Sequence, residues 1–185
     1  MYQQFKLRAE GVSAEVFRFE TKEAALGFLI EFLQREGLAD TPQSMALWAE
    51  CSFLDGMDCT ALAKNPGLKF GVTRELAATA RFGISQMEWA LADTGSLAQN
   101  STAIEQRLVS SLPTIHIALV PTNGILPDMP TLLAKIHPKE CAYLAMITGP
   151  SRTADIERVL TIGVHGPERL VIIFVDELGG TNNGK

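Results

Sequence analysis

Thr148-Gly149-Pro150-Ser151-Arg152-Thr153-Ala154-Asp155-Ile156-Glu157 follows the apolar run Cys141 to Ile147 and precedes a helical spacing at Ile156, Val159 and Leu160. A buried strand broken at Gly-Pro and continued as a helix is the repeating unit of α/β domains, so the reading of this stretch decides the fold. Such a helix start presents unpaired backbone N–H groups at the positive end of the helix dipole, a natural place for an anion. Arg152 would add a guanidinium with fork geometry, and Ser151 and Thr153 would add hydroxyls. The alternative is an ordinary strand-to-helix turn, with Ser151 or Thr153 as its cap and Arg152 held by Asp155.

Outward from this stretch the same alternation repeats. On the carboxyl side, Val164-His165-Gly166-Pro167 turns into an apolar strand, Leu170 to Val175, and a small polar tail from 178 to 185 reads as frayed. On the amino side, Thr102-Ala103-Ile104-Glu105 has the form of a capping box, and Pro113 stops the helix that it opens. Thr114 to Val120 is a buried strand, Pro121-Thr122-Asn123-Gly124 a turn, and Asp128 the cap of a further helix. Trp89 to Ala92 and Ser96 to Gln99 flank Asp93-Thr94-Gly95 as a hairpin would. Earlier still, Ala14 to Phe19 (strand), a helix capped by Thr21 and closed by Gly37, and Met45 to Ala49 (strand) predict a parallel crossover. Residues 50 to 71 read as loop with a short helix, and Thr73 to Arg81 as another helix.

The expectation is a single α/β domain over residues 1–185, with 1–75 as its amino-terminal portion. Its sheet is mostly parallel, with helices on both faces. Ligands in such folds sit beyond the carboxyl ends of the strands, which would bring Asp93, Asn123 and Ser151 to Thr153 around one cleft. The candidate ligand-binding residues are Thr94, Gly95, Ser96, Asn123, Gly149, Ser151, Arg152, Thr153 and Asp155, with Asp93, Glu88 and His165 as candidates for catalysis. His116, inside a buried strand, reads as a hydrogen-bonded core histidine.

Composition narrows the function classes. A net charge of −5 without Lys/Arg clusters argues against nucleic acid as the partner. The longest apolar runs are too short to span a bilayer, and Met1-Tyr2-Gln3-Gln4 has no signal pattern. Cys51, Cys59 and Cys141 lack C-x-x-C spacing, which fits a reduced, cytoplasmic chain and leaves too few thiolates for an iron–sulfur cluster of its own. No paired-histidine spacing, P-loop or Gly-x-Gly-x-x-Gly fingerprint is present, so neither a metal nor any other cofactor is expected in this chain.

Several segments together resemble the LUD domain family, in its lactate utilisation protein C (YkgG-type) branch. They are Ala92-Asp93-Thr94-Gly95-Ser96, Arg107 to Pro113 with His116 beyond, the Thr148 to Glu157 run, and Gly163-Val164-His165-Gly166-Pro167. Asp93 stands where that family commonly has Glu. The resemblance implies a fold similar to the ribose-5-phosphate isomerase and CoA-transferase superfamily. It further implies a part in oxidising L-lactate to pyruvate alongside iron–sulfur partner proteins. Two classes of function stay open. One is a subunit of a lactate-oxidising complex that binds a small anionic ligand. The other is a stand-alone CoA-transferase-like or sugar-phosphate-isomerase-like enzyme, with Asp93 or Glu88 as base or nucleophile and Arg152 holding the anion.

Overall fold

The computed structural model describes residues 1–137, 139–155, 159–163 and 165–178, without the side chains of 153–155 and 159–162. Its centre is a six-stranded parallel sheet in the order β1-β12-β7-β4-β2-β3. The strands are β1 (Glu15–Phe19), β2 (Ala46–Trp48), β3 (Leu68–Lys69), β4 (Phe82–Gln86), β7 (Ile115–Pro121) and β12 (Arg169–Val175). β7 is buried along its whole length, and β12 over all but its first residue, so both read as continuous apolar runs.

One face is covered by α2 (Lys22–Arg35), whose Leu29, Phe32 and Leu33 pack on Ile117, Val171 and Ile173, and by the segment after β2 with α3 (Cys59–Leu62). Thr21 accepts the Ala24 N–H at 3.2 Å to start α2, and Gly37, at φ +90°, lies just past its end. The other face carries α1 (Tyr2–Gly11), α4 (Arg74–Thr79), α5 (Ile104–Ser111) and a second sheet. That sheet has the order β8-β5-β6-β9, from β5 (Trp89–Leu91), β6 (Ser96–Asn100), β8 (Ile125–Leu126) and β9 (Leu144–Ile147). α6 (Met129–Lys135), capped by Asp128, packs Leu132 on Leu91, Ala98 and Leu126 of that sheet.

The α/β class with helices on both faces of a parallel sheet is therefore present, but three expectations are corrected. First, the Thr148 stretch does not open a helix. Arg152 to Asp155 is β10, paired antiparallel with β11 (Val159–Ile162), with Arg152 opposite Ile162 and Asp155 opposite Val159. The β-branched residues Thr153, Val159, Thr161 and Ile162 favour the extended form, and the hairpin stem lies between Gly149 at φ +67° and Gly163 at φ +83°. Ile156 and Glu157 lie outside the described residues.

Second, β9 is not part of the parallel sheet; it pairs antiparallel with β6. The stretch after it is therefore not at the carboxyl end of the main strands. Ser151 bonds instead to the carbonyl of Pro167 at 2.8 Å, just before β12 begins, which is the amino-terminal edge. Third, Thr102 forms no capping box. α5 starts after Ala103 without a side-chain cap, because Thr102 Oγ1 donates to Asn100 Oδ1 at 2.6 Å and accepts the Ala142 N–H at 3.2 Å.

Two of the elements without a reading in the sequence are β4 and α1. β4 (Phe-Gly-Ile-Ser-Gln) is half polar, and its glycine is required. A Cβ on Gly83 would lie 1.9 Å from the Val109 carbonyl oxygen, because α5 rests on the strand backbone there. α1 is signalled by Tyr2, Phe5 and Ala9 at helical spacing; Phe5 and Ala9 are fully buried, and the Phe5 ring meets Phe174 edge-on at 5.1 Å. These contacts set a paired expectation. Gly83→Ala should destabilise the domain by on the order of 3 kcal/mol through overpacking. Gly27→Ala, in α2 with nothing within 4 Å of the new Cβ, should stabilise it by roughly 0.5–1 kcal/mol. Urea titrations of the two variants beside the parent chain give both signs.

Candidate functional site

Three of the motif-bearing segments meet at the amino-terminal edge of the parallel sheet, gathered around the end of α1. The Asp93 turn reverses β5 into β6, and Gly95 adopts φ +72° there. Its missing side chain is what lets α1 approach: a Cβ on Gly95 would stand 2.4 Å from the Ala9 nitrogen. Gly149 does the same from the other side, where a Cβ would lie 2.5 Å from the Val12 carbonyl oxygen. The two segments are tied directly by a 2.7 Å hydrogen bond between the Ser96 and Thr148 hydroxyls. The third segment closes on them: Gly163 N–H donates to the Ser151 carbonyl at 3.1 Å, and Gly166 lies against the Ser151 Cβ.

Arg152 is engaged within this knot. Its Nη2 donates to the Val12 carbonyl oxygen and, at 2.9 Å, to Ser13 Oγ. Val12 is the residue that follows α1, so the guanidinium sits at the negative end of that helix and satisfies a terminal carbonyl. No helix start stands at Ser151, and the dipole argument for an anion there is lost with it. What the turn and α1 leave open is a cleft of about 390 Å³ lined by Leu7, Arg8, Gly11, Val12, Asp93 and Thr94. Arg8 and Leu7 enter through α1, which the motif reading did not reach.

The remaining candidates separate. Thr153 and Asp155 lie in β10, opposite Thr161 and Val159. His165 is exposed, in the turn between β11 and β12. Asn123 follows the carboxyl end of β7, the opposite end of the sheet from Ser151, seven residues of strand or roughly 20 Å away. It therefore does not share the cleft of Asp93. Glu88 is also at that far end, beyond β4, with its backbone carbonyl against Gly124.

Around Glu88 lies a second polar group. Its Oε2 accepts the Asn100 N–H at 2.9 Å, and burial pushes its carboxyl up to about 7 against that bond. Gln99 Nε2 donates to the Gln86 carbonyl at 2.6 Å and to Gln106 Oε1 at 2.9 Å, and Gln86 Oε1 accepts the Phe53 N–H at 2.8 Å. Deeper in the sheet, His116 Nε2 lies 2.8 Å from the Ser85 hydroxyl. Full burial holds that imidazole down at about 3, so it stays neutral. Among the described residues no group of three or more His, Cys, Asp and Glu side chains is placed to hold a metal ion.

The raised Glu88 carboxyl has a signed consequence. Below its ordinary value of 4.5 it is protonated whether the chain is folded or not, and it costs nothing. As pH rises from there to about 7, the unfolded chain releases a proton that the folded one keeps, so stability falls. Above about 7 the cost is complete, at about 3 kcal/mol. Glu88→Gln should flatten this decline, read as urea midpoints at about pH 5 and about pH 8. Arg152→Ala should cost roughly 1–2 kcal/mol at either pH, through the lost bonds to the end of α1.

The family model of the LUD domain matches residues 2–175. Lactate utilization protein C of Halalkalibacterium halodurans is 36% identical over 109 residues, 56% of this chain and 47% of that one. The Bacillus licheniformis protein of the same name is 37% identical over 107 residues, 55% of this chain and 45% of its own length. Escherichia coli (strain K12) YkgG is 31% identical over 126 residues, 65% and 54% of the two chains. The aligned stretches thus cover about half the length of these relatives. The crystal structure of a DUF162 family protein from Deinococcus radiodurans superposes with a TM-score of 0.62 at 17% identity, over 94% of this chain and 95% of that one, a likeness of fold. With the family model matching nearly the whole chain, the protein belongs to the LUD domain family.

Proposed function

We propose that this chain is a cytoplasmic subunit of the lactate utilisation protein C kind, which takes part in the oxidation of L-lactate to pyruvate. In this reading it presents the hydroxy acid, and iron–sulfur partner proteins accept the two electrons that leave with the hydroxyl and α-hydrogens. The chain itself carries no redox cofactor.

The observation that carries the reading is the cleft at the end of α1. It sets a cation, Arg8, and a hydroxyl, Thr94, beside a carboxylate, Asp93, with Leu7 and Val12 as apolar wall. Lactate needs those partners: a guanidinium for its carboxylate, a hydrogen-bond acceptor for its α-hydroxyl and an apolar contact for its methyl. Asp93, one methylene shorter than the Glu common in the family, leaves more of the cleft open. Arg152 contributes by fixing the end of α1, and with it Arg8, against the Asp93 turn.

A second reading has its own observation. Glu88, with its carboxyl near 7 beyond the carboxyl end of β4, is poised as a general base where α/β folds place ligands. This is the stand-alone enzyme of CoA-transferase-like or sugar-phosphate-isomerase-like type.

Thermal melting with and without L-lactate tests the first reading. The parent chain should melt higher in L-lactate than in an equal concentration of propionate, which lacks the hydroxyl, and Asp93→Asn should erase the difference. Pull-down from native extract should recover iron–sulfur proteins, while the purified chain shows no visible absorbance. Equal responses to lactate and propionate, or iron bound stoichiometrically to the purified chain, would sink it. Turnover by the purified chain alone that disappears in Glu88→Gln would establish the second reading.

A further inference from the structure

Arg152 is tied to α1; a different situation holds for another guanidinium at the same edge of the sheet. Arg81 immediately precedes β4, and its Nε is buried without a hydrogen-bond partner. Its side chain makes no hydrogen bond or ion pair to the described residues. Its guanidinium carbon lies 5.6 Å from the centre of the Phe82 ring, and it acts through space on the Glu36 carboxylate. Glu36 is already taken by Arg169 at 2.8 Å. A buried, unpaired Nε–H is costly unless something accepts from it.

Beside it is a polar cleft of about 460 Å³, to which Arg81 contributes along with Gln43, Thr79, Leu112, Thr114 and Glu168. The cleft is held open by backbone. The Gln43 N–H donates to the Thr79 carbonyl at 2.7 Å, which keeps Gln43 at φ +65°, and the Glu168 N–H donates to the Thr114 carbonyl at 2.8 Å. The Glu168 side chain packs over Gly163 at the foot of the β10–β11 hairpin.

We propose that this cleft is a second ligand site, for a small, singly charged carboxylate held in the fork of Arg81. The charge class follows from the walls. α4 and α5 both end here, each presenting the negative end of its dipole, and Glu168 adds a carboxylate. One guanidinium against that field accommodates a monoanion and rejects a phosphate dianion. The planar carboxylate matches two parallel N–H donors, and Gln43 and Thr114 border the space where its substituent would lie. This site is independent of the Asp93 cleft and uses none of its residues.

The buried Nε–H gives a direct probe. The Arg81 side-chain Hε–Nε resonance should shift saturably as acetate or L-lactate is added, at millimolar concentrations, and should barely move with phosphate or chloride. Arg81→Gln should abolish the corresponding shifts of the Gln43 and Thr114 amides, while Asp93→Asn should leave them intact. Glu168→Gln should tighten acetate binding several-fold by removing the opposing carboxylate. If Arg81→Gln does not fold, the resonance in the parent chain and the Glu168→Gln affinity decide. The absence of a saturable shift, stronger binding of phosphate than of acetate, or loss of the response in Asp93→Asn would overturn the proposal.

Discussion

A parallel strand buried on both faces has to be covered on both, and β12 imposes this on the whole molecule. Its residues from Leu170 to Val175 are buried, and it hydrogen-bonds β1 on one side and β7 on the other. It thereby joins the first strand of the chain to β7 in the middle of the sheet. Val171, Ile173 and Val175 require α2; Leu170, Ile172 and Phe174 require α1 and the small mixed sheet. Covering that second face brings the Asp93 turn and the Thr148 segment against the same helix end.

The glycines of the two segments then take on a specific meaning. Gly95 and Gly149 combine a positive φ with a backbone contact that no Cβ could share, Gly95 against Ala9 and Gly149 against Val12. They let three strands of backbone converge on one point, and a loop so gathered can hold polar groups in fixed positions. Arg152 serves that gathering as much as any ligand, which is why a cation in a motif is an ambiguous signal. The same side chain can complete a helix terminus or await an anion. Arg81 shows the opposite case, a guanidinium outside every motif whose buried Nε–H the fold leaves unpaired.

The two ends of the sheet divide the polar groups. At the amino edge are Asp93, Arg8 and Arg81; at the carboxyl edge are Glu88, Asn100 and the glutamine chain of Gln86, Gln99 and Gln106. A chain that places β9 in the small sheet has, in effect, moved its most specific motif from one edge to the other.

What the sequence by itself determined is the set of locally encoded elements. The apolar runs of β2, β7 and β12 announce strands buried on both faces, and β1 shows by alternation which of its residues face the core. Thr21 and Asp128 mark helix starts through bonds made within three residues, and Gly95 marks a turn that needs positive φ. The motif segments also identified the family. Tertiary structure alone decided three things that depend on contacts distant in the chain. Leu144 to Ile147 joined β6, because that edge of the small sheet was open to it. Arg152 to Asp155 became a strand, because pairing with Val159 to Ile162 outweighed a helical spacing that also fits an extended segment. Asn123 parted from Asp93, because β7 carries the one to the carboxyl edge while β5 runs back to the end of α1. Periodicity reports which residues seek burial; it carries no record of which neighbour will bury them.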